Sequence, residues 1–425
     1  MERKYGLELR SYLIKLDILQ IINYGELRIF EDASTEPEIT ILKNSTSNIT
    51  RIQYKMMKSL DEAKQTPYLL TNFDKNKLDS SIWRFNDDTS TNILEKFKDT
   101  DLTLNDYTKR GVFYGIKTGL NEAFIVNEEN RNEIINADVE ASKILKKMVE
   151  GDDFSRWSLN HSGRYMVATQ YDLDIPKFYP SIHQFLMRFE EKLIKRQDKG
   201  ATHWNLRSCD YYDELLKPKL IYYHTASTHN FFFDTEGYYI SANCYFIANA
   251  DRYLQCVLNS KLFHYVKKFL FPAFGDSENG GRVRLDANKM SALPIKEVSN
   301  DLKLNFQSLA EEISVLSREF DDIKLKFRKY FTAQNSITKV SGKLSNWFLL
   351  EFSDFLKELN KAIKAWKGTP LTKKDEFEWM ELFEENKKKA IELKSQIDQT
   401  DEEIDRLVYE LYGLTEEEIQ IVENS

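Results

Sequence analysis

The chain has 425 residues, 60 Lys and Arg against 68 Asp and Glu, a net charge of −8 and six histidines. That length points to two or three domains, and a hydrophobic fraction of 41% can fill their cores. No apolar run reaches the ~18 residues that span a bilayer and no signal peptide opens the chain. Three cysteines (Cys209, Cys244, Cys256) without metal spacing argue against a disulfide framework, so a reducing cytoplasm and no membrane association are expected.

The acidity is uneven. Residues 111–300 hold 24 basic and 24 acidic side chains, whereas 301–425 hold 19 against 26. All six His fall in the balanced centre. A nucleic-acid-binding face needs local positive charge, which a negative whole does not exclude.

Residues 1–50 read as the end of an α/β unit: GLELRSYLIK as a short amphipathic helix, then ILQIINYG and EITILKN as strands. Two strands make no stable sheet, so this segment is the last piece of something larger or an edge that docks on a partner. Residues 51–104 read as a connector with a helix near Ser90–Lys98. From Gly111 to Glu129, Gly115, Gly119, Lys117 and Thr118 form a tight loop between the short strands VFYGI and AFIV. Glycine permits close backbone approach to a ligand, and Lys, Thr and Asn can bind phosphate. An ordinary glycine hairpin is the competing reading.

Residues 131–150 read as a helix closed at Gly151, followed by the strand RYMVATQY. Ser181–Lys199 is amphipathic, with Arg188, Lys192, Lys195, Arg196 and Lys199 as a basic ridge. That ridge suits a phosphate backbone, or is simply a solvated face laced with Glu190 and Glu191.

His203–Ile247 is the densest aromatic stretch. KLIYYHTAS, HNFFFDTE and GYYISANCYFI alternate, with a turn at Thr235-Glu236-Gly237, which predicts a β-meander. Such strands bury one face and offer hydroxyls, imidazoles and amides on the other, a surface suited to nucleobase edges. The plainer alternative is an aromatic core with satisfied polar groups. Asp251–Phe271 reads as a helix. The glycine-rich loop in FGDSENGGRVRLDANKMSALPI then leads to a short strand with Arg282 and Arg284 on one face. From Leu302 on, three charged helical segments (Leu302–Phe331, Asn346–Trp366, Glu376–Tyr412) form a bundle or coiled coil, broken at Gly368-Thr369-Pro370. Ile397, Ile404, Leu407 and Leu411 are seam candidates.

Motifs for chemistry are sparse. P-loop, G-x-S-x-G, Pro-Pro-Tyr-type and glycine-rich S-adenosylmethionine-binding patterns are absent from this sequence. His224 and His229, five apart on strands, point to opposite faces, so no metal set is expected. Asp174 with Glu190 and Lys192 loosely fits a Mg²⁺-nuclease pattern. Asp375 with Glu392 and Lys394 fits as well, which shows how little the pattern demands. No catalytic residue is assigned.

The order INYGELRIFEDASTEPEITIL, GIKTGLNEAFIV, EGDDFSRW, YPSIHQFL, EKLIKRQDKG, the aromatic stretch, LNSKLF, RLDANKMSALPI and EEIDRLVYELYGLTEEEIQIV resembles one family. It is similar to the C-terminal half of adenine-N6 DNA methyltransferases of type IIG restriction–modification systems, with their TaqI-like specificity domain. The resemblance implies an α+β fold. Residues 1–50 would be the end of a Rossmann-like methyltransferase sheet and 51–104 a connector. Residues 105–297 would be a mixed β-rich target-recognition domain, and 298–425 a helical tail.

Its implied partner is double-stranded DNA, with the target adenine flipped out. Lys117, Thr118 and Asn121 would position the backbone near the flipped nucleotide. Arg156 and Trp157 would stack or bind phosphate. His203, Trp204, Arg207, His224, Ser227, His229 and Asn230 would read bases, and Arg282 and Arg284 would take guanine or phosphate. In relatives the cofactor loop and the Asn-Pro-Pro-Tyr motif lie upstream. The expectation is therefore that this chain holds no S-adenosylmethionine, and that the full-length protein or a separate methyltransferase or nuclease half supplies cofactor and catalysis. The competing readings are a Mg²⁺-dependent endonuclease and a non-catalytic interaction subunit of a restriction or phage-defence complex.

Overall fold

In the computed structural model, the structure describes residues 6–24, 27, 29–30, 37–45, 49–57, 59–64, 70–78, 83, 88–100, 102–271, 273–274 and 282–425. The chain forms two compact units, residues 1–96 with 272–282, and residues 97–271 with 283–425.

The first unit is built on a four-stranded sheet of β1 (Asp17–Asn23), β2 (Glu38–Lys43), β3 (Arg51–Met56) and β4 (Thr71–Asp74), in the order β2-β1-β3-β4. β1 pairs antiparallel with β2 and parallel with β3, and β3 pairs antiparallel with β4. Ile18 and Ile21 of β1 and Ile52 of β3 are sealed in its core beside Leu13 and Trp83. β3 and β4 therefore extend the sheet begun by β1 and β2, where the sequence read as a connector. The reason is register: Ile52 lies on the core face, so an otherwise polar strand has one apolar anchor to bury.

The second unit carries two further four-stranded sheets. One has the order β11-β9-β13-β5, from β5 (Val112–Tyr114), β9 (Lys219–Tyr223), β11 (Phe231–Asp234) and β13 (Cys244–Ala248). The other has the order β12-β7-β8-β6, from β6 (Ile125–Val126), β7 (Leu145–Val149), β8 (Tyr165–Val167) and β12 (Tyr239–Ile240). The aromatic stretch is not a simple meander. β9 is flanked by β11 and β13, while Tyr239–Ile240 crosses over to run parallel with β7.

Two features enforce that crossing. Asp234 at the end of β11 is buried, accepts hydrogen bonds from the backbone of Glu236 and Tyr238, and is paired with the equally buried Lys219. The turn residue Gly237 takes a positive φ of 74°. At Gly115, just after β5, a side chain would sit 2.1 Å from the Ser241 carbonyl oxygen. The backbone N–H of Gly115 bonds the Cys244 carbonyl, and that of Ile116 the Ile240 carbonyl. The closeness that this glycine provides is thus between two protein backbones. Likewise, the segment after it opens the short helix Asn121–Phe124 before β6, so VFYGI and AFIV belong to different sheets and are not a hairpin.

The predicted helix Ser181–Lys199 is two helices, Pro180–Met187 and Glu190–Lys195. After the sheets come the helices Arg252–Asn259 and Lys261–Leu270, then β15 (Arg282–Arg284), which pairs with β10 (Thr225–Ala226) from between β9 and β11, and the tail. Two long helices dominate the tail, Asn300–Gln334 and Lys373–Tyr412. They run antiparallel: Phe327 meets Phe383 at one end, and Lys296, just ahead of the first helix, reaches Leu411 and Tyr412 at the other. A capping box at Thr372 starts the second helix and Gly413, with φ 66°, ends it. Trp347 and Phe355 fill the space where Phe327 and Phe383 converge.

The tail is packed onto residues 97–271 within one unit and is not a separate body. Arg156 binds Asp401 through two parallel N–H···O bonds, at 3.1 and 2.6 Å. Ser158 donates to Asp321 at 2.5 Å. No described helix is long and apolar enough to cross a membrane.

Removing one member of a buried ion pair strands the other charge in a poorly polarisable interior. Lys219→Met is expected to cost ~3–5 kcal/mol of stability by this reasoning, read as a lowered urea midpoint, because Asp234 then stays buried without its cation.

Candidate nucleic-acid interface

The polar residues after β9 converge. His224 continues that strand; its ring stacks on Tyr245 at 5.0 Å and its Nδ1 lies 3.0 Å from the Asn243 carbonyl oxygen. β10 follows, with Thr225 in register with Arg284 and Ala226 with Val283. The backbone N–H of Leu285 bonds the His224 carbonyl. In β15, Arg282 and Arg284 are exposed and Val283 is buried, as strand alternation requires. Arg284 Nε lies 2.9 Å from Asp286. The glycine-rich segment at 275–281 lies outside the described residues.

Two clefts flank the loop at Thr228. One, of about 390 Å³, is lined by Gly151, Tyr223, Ala226, Thr228, Asn230 and Asn243, among others. The second, of about 500 Å³, is lined by Arg156, Ser227, Thr228, His264, Lys267 and Lys268, among others. A third, smaller cleft of about 150 Å³ brings Lys117 and Arg207 together beside Tyr114 and Tyr211. Burial holds the Tyr211 hydroxyl well above its ordinary range. Arg207 also faces Asp198 at 3.3 Å.

Several residues singled out in the sequence are turned inward. Thr118 is buried and donates to Asn121 Oδ1 at 2.5 Å, so these two fold the turn while Asn121 itself stays exposed. Trp157 and Trp204 are buried, the latter packed between the rings of His183 and His203. His203 is half-buried, its Nε2 3.9 Å from Glu190, and burial depresses its pKa. His229 is fully buried, with its Nδ1 3.3 Å from Lys267 Nζ. Arg156 spends its guanidinium on Asp401 and the Asn259 carbonyl. As placed, Thr118, Trp157, Trp204 and His229 therefore stabilise the fold, and a stacking or base-reading contact is closed to them. Alternation alone could not show this, because none of the four lies within a strand. Lys117, Asn121, Arg207, His224, Ser227, Asn230, Arg282 and Arg284 keep some access to solvent.

The basic ridge of 188–199 is largely spent on protein. Arg188 pairs with Glu133 and Lys192 with Glu122. Arg196 is 7% exposed, donates to the carbonyls of Thr118, Asp198, His203 and Asn205, and lies over the Phe124 ring. Burial lowers its pKa to about 10. The nuclease-like trio is similarly engaged: Asp174 caps the helix Ile175–Phe178, Glu190 faces His203, and Lys192 holds Glu122. Among the described residues no group of three or more His, Cys, Asp or Glu is arranged to hold a metal ion.

The sequence reading passed over Lys261, His264, Lys267 and Lys268. The signal was present in KLFHYVKKFL, where His264, Lys267 and Lys268 recur at helical spacing.

Residues 146–295 match the family model described as a TaqI-like C-terminal specificity domain. Residues 299–408, most of the tail, match a domain family of unknown function, DUF8810. Among solved structures, the chain is similar to the type IIL restriction–modification enzyme MmeI in complex with DNA. The identity is 14% and the TM-score 0.40, over 89% of this chain and 46% of that one. It is also similar to the type IIG restriction endonuclease BpuSI, at 10% identity and TM-score 0.35, over 96% of this chain and 46% of that one. The chain thus spans less than half the length of either.

Burial, followed by the Lys267 charge, depresses the His229 and His264 pKa values to about 3. Unfolded imidazole titrates near 6.5, so the folded state binds fewer protons between those values. These two groups therefore remove stability as pH falls from about 6.5 toward 3. The checkable outcome is that the imidazole resonances of both stay unprotonated from pH 7 to 5 by NMR; a midpoint near 6 for either contradicts this placement.

Proposed function

We propose that this chain is the sequence-recognition part of an adenine-N6 DNA methyltransferase of a restriction–modification system that acts in phage defence in the cytoplasm. The observation that carries the reading is the TaqI-like specificity domain over residues 146–295. Supporting it, the exposed polar side chains around His224–Asn230 stand beside two clefts and in register with Arg284.

The loop bearing His224, Ser227 and Asn230 reads base edges, with Arg282 and Arg284 taking guanine or phosphate. Lys117 and Arg207, in their shared cleft, contact the backbone near the flipped nucleotide, and Asn121 holds the turn beside them. The first unit's sheet is the end of a Rossmann-like methyltransferase sheet. S-adenosylmethionine, methylation and any cleavage belong to a longer form of the protein or to a separate subunit, and no residue of this chain is assigned to them.

The experiment is duplex selection from a random library, followed by gel shifts over a salt series. Expected are an enriched sequence and a steep, linear fall of log affinity with log salt. Absence of both overturns the reading, and Mg²⁺-dependent cleavage by the chain alone would favour the nuclease alternative. Arg284→Ala is expected to cost ~1–3 kcal/mol on the selected duplex and to relax preference at one base pair. A loss equal on all sequences would instead mark Arg284 as a phosphate contact.

A further inference from the structure

The second unit has two deeply buried lysines, and they are treated differently. Lys219 is sealed with Asp234, and its Nζ also donates to the Leu215 carbonyl at 2.5 Å. Lys267 is 2% exposed, and its Nζ reaches only two imidazoles, His229 Nδ1 and His264 Nδ1, each at 3.3 Å. An ammonium has three protons to donate, and among the described residues the third finds no acceptor. No carboxylate faces it either. A buried charge without a partner is costly. Burial, and then Lys268 beside it, lowers the Lys267 pKa only to about 8, so it remains mostly charged at neutral pH.

Lys267 lines the 500 Å³ cleft, which is open to solvent. Four cations border that cleft: Arg156, Lys261, Lys267 and Lys268. The nearby side-chain carboxylates are already spoken for, Asp401 by Arg156 and Asp405 and Glu423 by Lys261, while the Ser425 terminus also lines the cleft. Asp405 is moreover pushed up to about 7 by burial, which weakens its charge. Lys267 and Lys268 are left without a side-chain carboxylate, and the exposed residues Ser227 and Thr228 line the same cleft. Stacked cations with hydroxyl donors suit a tetrahedral oxyanion.

We propose that this cleft binds one phosphate group, held by Lys267 between its two imidazoles, by Lys268, and by the Ser227 and Thr228 hydroxyls. Phosphate chemistry has two sources here, a DNA phosphodiester or a free phosphate. The choice of DNA rests on the recognition reading above; the existence of the site does not.

The test uses the full chain and inorganic phosphate, titrated by calorimetry at low ionic strength without DNA, followed by duplex gel shifts over a salt series. Wild type is expected to bind phosphate, Lys268→Ala and Thr228→Ala to weaken it several-fold, and Lys267→Met to abolish it. If Lys267→Met does not fold, the two exposed-site variants carry the result. For a DNA phosphate, Lys268→Ala also lowers the slope of log affinity against log salt by about 0.9, the value for one B-DNA phosphate, equally on every sequence. Phosphate binding lost in the variants with an unchanged DNA slope keeps the site and assigns it to free phosphate. If wild type binds no phosphate, or folded Lys268→Ala and Thr228→Ala match wild type in both measurements, the proposal fails. Failure of duplex binding with phosphate binding intact would overturn the recognition reading alone.

Discussion

Two buried amides decide where the polar loop of this molecule stands. β11 is the edge of its sheet, and an unpaired edge invites association with another chain. Asn259 takes up both free groups of Phe231, accepting from its N–H at 2.9 Å and donating to its carbonyl at 2.8 Å. Gln255, one turn earlier, donates to the same carbonyl and to that of Arg156. The start of β11, the Arg156 loop and the helix Arg252–Asn259 are thereby fixed to one another. The loop 224–230 that enters β11 inherits that position. Ser260, capping the next helix at once, sets the direction in which His264 and Lys267 project.

The cations of this unit that lie wholly or partly inside show how one protein solves the same problem in different ways. Lys219 meets a carboxylate. Arg196 donates to four carbonyls and lies over the Phe124 ring, and its planar fork suits that set, where a lysine could not span it. Arg156 meets Asp401 from the tail with ideal two-bond geometry. Each turns a charge into structure. Lys267 departs from this pattern, since imidazoles accept hydrogen bonds but bring no opposite charge.

Hydrophobic rhythm made much of the architecture legible. The antiparallel pairing of β9 with β11, the turn at Gly237, the long tail helices and the break before Lys373 all follow from local alternation, helical spacing or capping residues. What was not legible is long-range. Nothing local distinguishes Gly115 approaching a backbone from Gly115 approaching a ligand. Nothing in TEGYYISANCYFI says that Tyr239–Ile240 joins the other sheet while Cys244–Ala248 returns to the first. The polarity of β3 and β4 hid them because one fully buried anchor, Ile52, is too little for periodicity to register. For the site, residue types were right more often than their exposure: His224 and His229 look equivalent in sequence, yet one stacks at an accessible edge and the other is sealed.

The uneven charge of the chain also acquires a physical meaning. The tail's acidity is spent on docking: Asp321, Asp401, Asp405 and Glu423 each engage Ser158, Arg156 or Lys261 of the preceding domain. A net charge of −8 is therefore a poor guide to the potential that a ligand meets, because much of the negative side is consumed within the protein. Docked carboxylates neutralise only the cations that they reach. Because Asp405 turns to Lys261 and the backbone N–H at the start of its helix, it leaves Lys267 and Lys268, two turns further along, facing the cleft uncompensated. The same contacts that hold the acidic tail in place thus concentrate the remaining positive charge beside the polar loop.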